Sequence, residues 1–212
     1  EFRRVLFRSL EIIRTLMFDA EVIVIDPERE YEYLAEATGG RYFNISLSST
    51  HHINPFDLPI PGADESSASV LRSNIIFLVG LFRIMLGGLT PEEDAIIDHA
   101  IAETYALKDI TGEADFTGAE PPLLSDFEQV LSGMEGSESL VERLSKYTRG
   151  SWAGFMNQAT NIDLAQQFEV FSVRDMEDEL KPVAMYIITH HIWNMVRKEL
   201  RKREEAKLAG AQ

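Results

Sequence analysis

Val22-Ile23-Val24-Ile25-Asp26-Pro27-Glu28-Arg29-Glu30-Tyr31 is the stretch that decides the fold class. Four β-branched residues in unbroken succession read as a strand covered on both faces, the habit of parallel sheets rather than of half-solvated antiparallel ones. Asp26-Pro27 ends the strand, because proline cannot donate to a ladder and aspartate favours turns. Tyr31 to Ala37 then reads as a short helix, Gly39-Gly40 stop it, and Arg41 to Ile45 supplies a second strand. Strand, helix and strand in this rhythm make a βαβ unit, so the class is α/β.

Upstream, Leu10 to Phe18 carries apolar residues at helical spacing (Leu10, Ile13, Leu16, Met17) and reads as the back half of a helix. Residues 3–9, Arg-Arg-Val-Leu-Phe-Arg-Ser, look like the in-frame translation of a common sequencing adapter. Residues 1–9 are therefore expected to be foreign, with coding sequence cut away before Leu10.

Downstream, the character changes after Pro55, Pro59, Pro61 and Gly62. Ser66 to Leu86 reads as a helix. Thr90-Pro91-Glu92-Glu93 is a capping box with proline at the first helical position, opening a helix to about Tyr105. Ser125 to Met134 and Ser137 to Tyr147 supply two more, and no strand pattern occurs between roughly residues 63 and 150. Phe168 to Val173 restores strand patterning. Asp175 is expected to cap a long helix whose first turn holds Glu177, Asp178 and Glu179, with Pro182 tolerated near its start. Its apolar stripe runs Leu180, Val183, Ala184, Ile187, Ile188, Ile192, Met195, Val196, Leu200. The expected division is residues 10–62, first part of the α/β core; 63–165, a helical insertion; and 166–212, the return to the core.

Composition excludes several function classes. With 212 residues, 45% hydrophobic and 26% charged, the chain can bury a core. Its 35 acidic and 20 basic side chains give a net charge of −15, which repels nucleic-acid phosphates. No direct nucleic-acid binding by this piece is expected. The basic run Arg197, Lys198, Arg201, Lys202, Arg203 is interrupted by Glu199 and reads as the polar face of a helix. Cysteine is absent, which removes disulfides, thiolate zinc sites and cysteine nucleophiles and fits a cytoplasmic protein. The apolar run Ile75 to Leu86 falls short of the about 20 residues that span a bilayer, so a buried helix and no transmembrane segment are expected.

Among chemical motifs, the acidic strand end carries the strongest signal. Carboxylates at the C-terminal end of a buried strand lie where α/β sheets place their ligands, and there they can hold magnesium through water or orient an attacking water. In isolation the segment also resembles a Walker B strand. The alternative is purely structural: a polar turn in which Asp26 caps the next helix. No G-x-x-x-x-G-K-[ST] occurs in the chain, so this polypeptide by itself lacks the nest and lysine that grip a nucleotide's phosphates. His51, His52, His99, His190 and His191 lack zinc-site spacing, and no metal site is expected. His190 and His191 read as one buried and one boundary residue, and Trp152, Phe155, Tyr186 and Trp193 as core.

Asp26-Pro27-Glu28-Arg29-Glu30-Tyr31, then Gly39-Gly40, then Asn54-Pro55-Phe56, resembles the segment following the Walker A helix in the conjugal-transfer ATPases of type IV secretion, the VirB-four, TraC and TrbE-like motors. Leu89-Thr90-Pro91-Glu92-Glu93 is similar to part of that family's helical insertion. Gly150-Ser151-Trp152-Ala153-Gly154-Phe155-Met156-Asn157 with Thr160-Asn161-Ile162-Asp163-Leu164 resembles the return from it. Val170-Phe171-Ser172-Val173 followed by Leu180, Pro182 and Tyr186 is similar to the strand and helix before Walker B. The resemblance covers nearly the whole chain from Leu10 onward, and it places Asp26 after the P-loop helix rather than in Walker B.

This resemblance implies a partial RecA-like P-loop core with an all-helical insertion. The parent would be a hexameric ATPase at the cytoplasmic base of a conjugation or secretion channel, peripheral to the membrane's inner face and using ATP and Mg2+. Glu28 and Glu30 would be its catalytic acidic residues, with Asp26 on the cofactor side. The fragment itself would bind no cofactor and show no turnover, with Walker A encoded before Leu10 and Walker B after Gln212. The competing reading is a non-catalytic helical interaction module on an α/β scaffold.

Overall fold

The structure, a computed structural model, describes residues 2–62, 65–113, 115–116 and 118–209. Helix α1 (Phe2–Leu16) leads through Asp19, whose φ is 61°, into strand β1 (Val22–Asp26). Helix α2 (Glu32–Thr38) and strand β2 (Arg41–Asn44) complete the first unit. Gly39 sits in the left-handed region at the end of α2 (φ 71°), which lets the chain reverse directly into β2. At the next position a side chain would strike the carbonyl of Phe168 at 2.6 Å, so glycine is required where β2 begins.

Four helices follow within residues 67–148: α3 (Ser67–Met85), α4 (Pro91–Ala106), α5 (Leu124–Ser132) and α6 (Glu138–Thr148). Thr90 and Glu93 form the capping box read from sequence, Glu93 N donating to Thr90 Oγ1 at 3.2 Å and Thr90 N to Glu93 Oε2 at 2.9 Å. Arg143 of α6 closes the C-terminal end of α3, on the same loop, by donating to the carbonyls of Leu86 (2.9 Å) and Gly88 (3.3 Å). Tyr147 adds a third such bond, to the Met85 carbonyl at 2.7 Å. By length and composition α3 could cross a bilayer, yet Leu78, Leu81 and Phe82 are fully buried against the other helices.

Strand β3 (Phe168–Ser172) enters between the first two, giving a parallel sheet of order β1-β3-β2. Val22 pairs with Phe168 and Asp26 with Ser172 on one side, Arg41 with Glu169 on the other. Alternation then sorts the side chains. Ile23, Ile25, Phe43 and Phe171 face the large core shared with the helices. Val22, Val24, Phe168 and Val170 face a smaller core under Ile12 of α1 and Ala35 of α2. Each fully buried phenylalanine contributes roughly 2–3 kcal/mol of transfer free energy, so both faces favour this register over a slipped one.

Helix α7 (Lys181–Ala209) begins later than the sequence suggests. Asp175 caps nothing: its carboxylate accepts from Asn44 Nδ2 at 2.7 Å, and Glu177 to Glu179 lie in turns ahead of the helix. Pro182 falls in the first helical turn, where its missing N–H has no partner to lose, and that decides the start. Its apolar stripe is buried through Ile188, but Trp193 is 61% and Leu200 56% exposed, so the second half stands clear of the core. The histidines also differ from expectation. Both are half-buried; His190 faces α3 and His191 faces the groove described below.

Candidate functional site

The acidic segment leaves the C-terminal end of β1 and wraps back on itself around Asp26. Asp26 is 1% exposed, and its carboxylate accepts three backbone N–H groups: Glu28 at 3.3 Å and Glu30 at 3.1 Å on Oδ1, Tyr31 at 2.9 Å on Oδ2. Three donors on one carboxylate close the loop and deliver the chain to α2, whose first turn has no side-chain cap of its own. Arg29 takes a left-handed backbone at φ 62° to allow this closure, and Tyr31 drops into the smaller core.

Both flanking glutamates are exposed. Glu28 is held by Arg174, 2.8 Å from the guanidinium, just past the end of β3. Among the described residues Glu30 has no ion-pair partner. Arg29 pairs with Glu32 at 2.7 Å and lies 3.5 Å from Asp175. The bonded Glu32 raises the Arg29 guanidinium above its ordinary value, and Arg29 lowers Glu32 in return. The three residues singled out from sequence are therefore brought together, but in unlike states: Asp26 saturated and buried, Glu28 neutralised, Glu30 open. Arg174 escaped the sequence reading, since a lone arginine after a strand carries no pattern.

Among the described residues no glycine-rich cradle faces the loop, and no group of three or more His, Asp or Glu residues is arranged for a metal ion.

At the opposite end of the sheet lies a groove of about 1030 Å³, lined by Ile23 of β1, Leu164, and Met195, Val196 and Leu200 of α7. Arg203 of α7 reaches across it to Glu21. His191 lines it, and its Nε2 is buried without a hydrogen-bond partner. The groove lies between the segment leading into β3 and the second half of α7, and among the described residues β1 is an edge strand paired with β3.

No protein-family model matches the chain, and no curated protein does. A solved structure of VirB4 of Thermoanaerobacter pseudethanolicus is similar, with a TM-score of 0.81 at 24% sequence identity. The match covers 92% of this chain and 54% of that one, so the chain spans about half the length of the protein it resembles. The α/β arrangement, with four helices interposed between β2 and β3, is the fold of that part of VirB4.

Proposed function

We propose that this chain is a piece of a type IV secretion ATPase, a P-loop motor for conjugative DNA transfer or protein export. The carrying observation is the similarity to VirB4 over 92% of the chain; in this chain the acidic loop leaves the C-terminal end of parallel strand β1, where α/β sheets place their ligands. The motif order from Asp26 to Tyr186 supports the same reading. So does the place of β1 at the edge of the sheet among the described residues, where a further strand of a larger sheet can pair.

In that reading the core is RecA-like, the parent is a cytoplasmic hexamer docked on channel proteins, and ATP with Mg2+ is bound by the parent. Glu28 and Glu30 stand as its acidic site residues. Glu30 is the better placed, because Glu28 is already paired with Arg174 while Glu30 faces solvent. Asp26 supports them as the staple that shapes their loop.

The coding sequence around this segment tests the proposal. A glycine-rich G-K-[ST] loop is expected shortly before Leu10, and an apolar strand ending in Asp-Glu soon after Gln212. Flanks without both would end the ATPase reading and leave a helical interaction module on an α/β scaffold.

A further inference from the structure

A line of buried polar groups crosses the helical layer from α7 to the turn that follows β2. His190 Nε2 lies 3.0 Å from Asn74 Oδ1, Asn74 Nδ2 donates to the Tyr105 hydroxyl at 2.6 Å, and that hydroxyl donates to the Phe56 carbonyl at 2.8 Å. Asn74 is 2% exposed and Tyr105 wholly buried.

The direction of every bond is fixed. Tyr105 spends its one proton on Phe56, so it can only accept from Asn74, which turns the Asn74 amide nitrogen toward it. The Asn74 oxygen then faces His190, which must carry its proton on Nε2. His190 is held from the other side by Phe77, stacked at 3.5 Å between ring centroids. The far end is equally fixed. Asn54, two residues before Phe56, donates its side-chain amide to the Pro122 carbonyl at 3.0 Å and its backbone N–H to Thr160 Oγ1 at 2.7 Å.

We infer that His190, Asn74, Tyr105 and the Phe56 carbonyl form a one-directional relay that mechanically couples α7 to the helical layer, so that displacement of α7 is felt in α4 and in the turn at residues 54–56. α7 follows the segment bearing Arg174 and Asp175, which hold the acidic loop, so the relay joins that end of the sheet to helices well away from it. No member can be lost singly without leaving a buried polar atom unpaired, which makes the line behave as a unit. This coupling does not depend on the ATPase reading and is measured on the 212-residue chain without nucleotide.

The test is reciprocal hydrogen exchange with a double-mutant cycle. Tyr105→Phe removes one hydroxyl from α4. Exchange at α7 amides 187–194 is expected to quicken roughly fivefold to tenfold, the factor matching one of the two hydrogen bonds the hydroxyl makes, the bond from Asn74 that leads toward α7. His190→Phe, which keeps a ring against Phe77, is expected to do the same to α4 and residues 53–57. The stability losses of the two variants should be non-additive in the double variant although the side chains do not touch. Changes confined to the mutated helix, with additive losses, would overturn the relay. Should His190→Phe fail to fold, Tyr105→Phe read at α7 alone decides: unchanged α7 exchange refutes the coupling.

Discussion

Replacing Asp26 with alanine separates the two roles open to this residue. The substitution strips the acceptor from three backbone N–H groups, those of Glu28, Glu30 and Tyr31. Hydrogen bonds to an ionised group are worth about 1.5–3 kcal/mol each when the freed donor stays buried. The Glu28 and Glu30 donors lie in an exposed loop and can turn to water, so they contribute little. The Tyr31 donor is held at 2.9 Å in a buried setting and takes most of the penalty. A loss of about 3 kcal/mol follows, a large share of the 5–15 kcal/mol typical of a whole domain. Asp26→Asn keeps one acceptor oxygen and should lose about half as much. Urea unfolding followed by circular dichroism measures both, and exchange at the Tyr31 amide should quicken in parallel. An alanine variant within about 0.5 kcal/mol of the parent chain, with the Tyr31 amide still protected, would refute the staple and free Asp26 for a ligand.

Three other outcomes are expected. Burial lowers His190 and His191 to about 4 each, so the folded chain binds fewer protons than the unfolded one below the ordinary histidine value of about 6.5. Stability therefore falls with acid across that window, at up to about 1.4 kcal/mol per pH unit per histidine. Burial-raised Asp57 and Glu169 oppose the trend toward its acid end. His191→Gln should flatten the slope in denaturant titrations run from pH 7 to 4.5, and an unchanged slope counts against it. Gly39→Ala places a side chain in the left-handed region but in open space and should cost about 1 kcal/mol. Gly40→Ala drives a methyl into the Phe168 carbonyl and should cost more, so thermal melting that ranks the two the other way contradicts the close approach. Arg149→Ala should destabilise more than a surface pair allows, because it strands Glu128, whose side chain is 9% exposed; a melting temperature equal to wild type would show that Glu128 finds other relief.

The sequence carried the sheet further than it carried the site. Val22 to Ile25, Phe168 to Val170 and the capping box at Thr90 were legible because apolar runs and cap chemistry are local. The start of α7 was not: Asp175 as a cap and Glu177 to Glu179 as an acidic first turn read as a helix opening, though Asp178 makes no capping box, and Pro182 and the long-range bond from Asn44 outweigh them. Leu200 fits the helical period and Trp193 reads as core among the aromatics, yet both lie beyond the layer that would cover them. At the site, clustering of Asp26, Glu28 and Glu30 followed from their spacing, but their unequal states did not. Those depend on Arg174, 146 residues from Glu28 in sequence, and on backbone N–H groups that no side-chain pattern reveals. The relay left only one trace, Asn74 set beside the apolar run from Ile75.

The most direct measurement is ATP hydrolysis by the longer protein to which we assign this segment, in the parent form and with Glu30→Gln. Magnesium-dependent turnover that drops at least about a hundredfold in the variant, while nucleotide binding and the melting temperature hold, is the predicted result. A longer protein without turnover, or one whose rate ignores Glu30 and Glu28 alike, would contradict it.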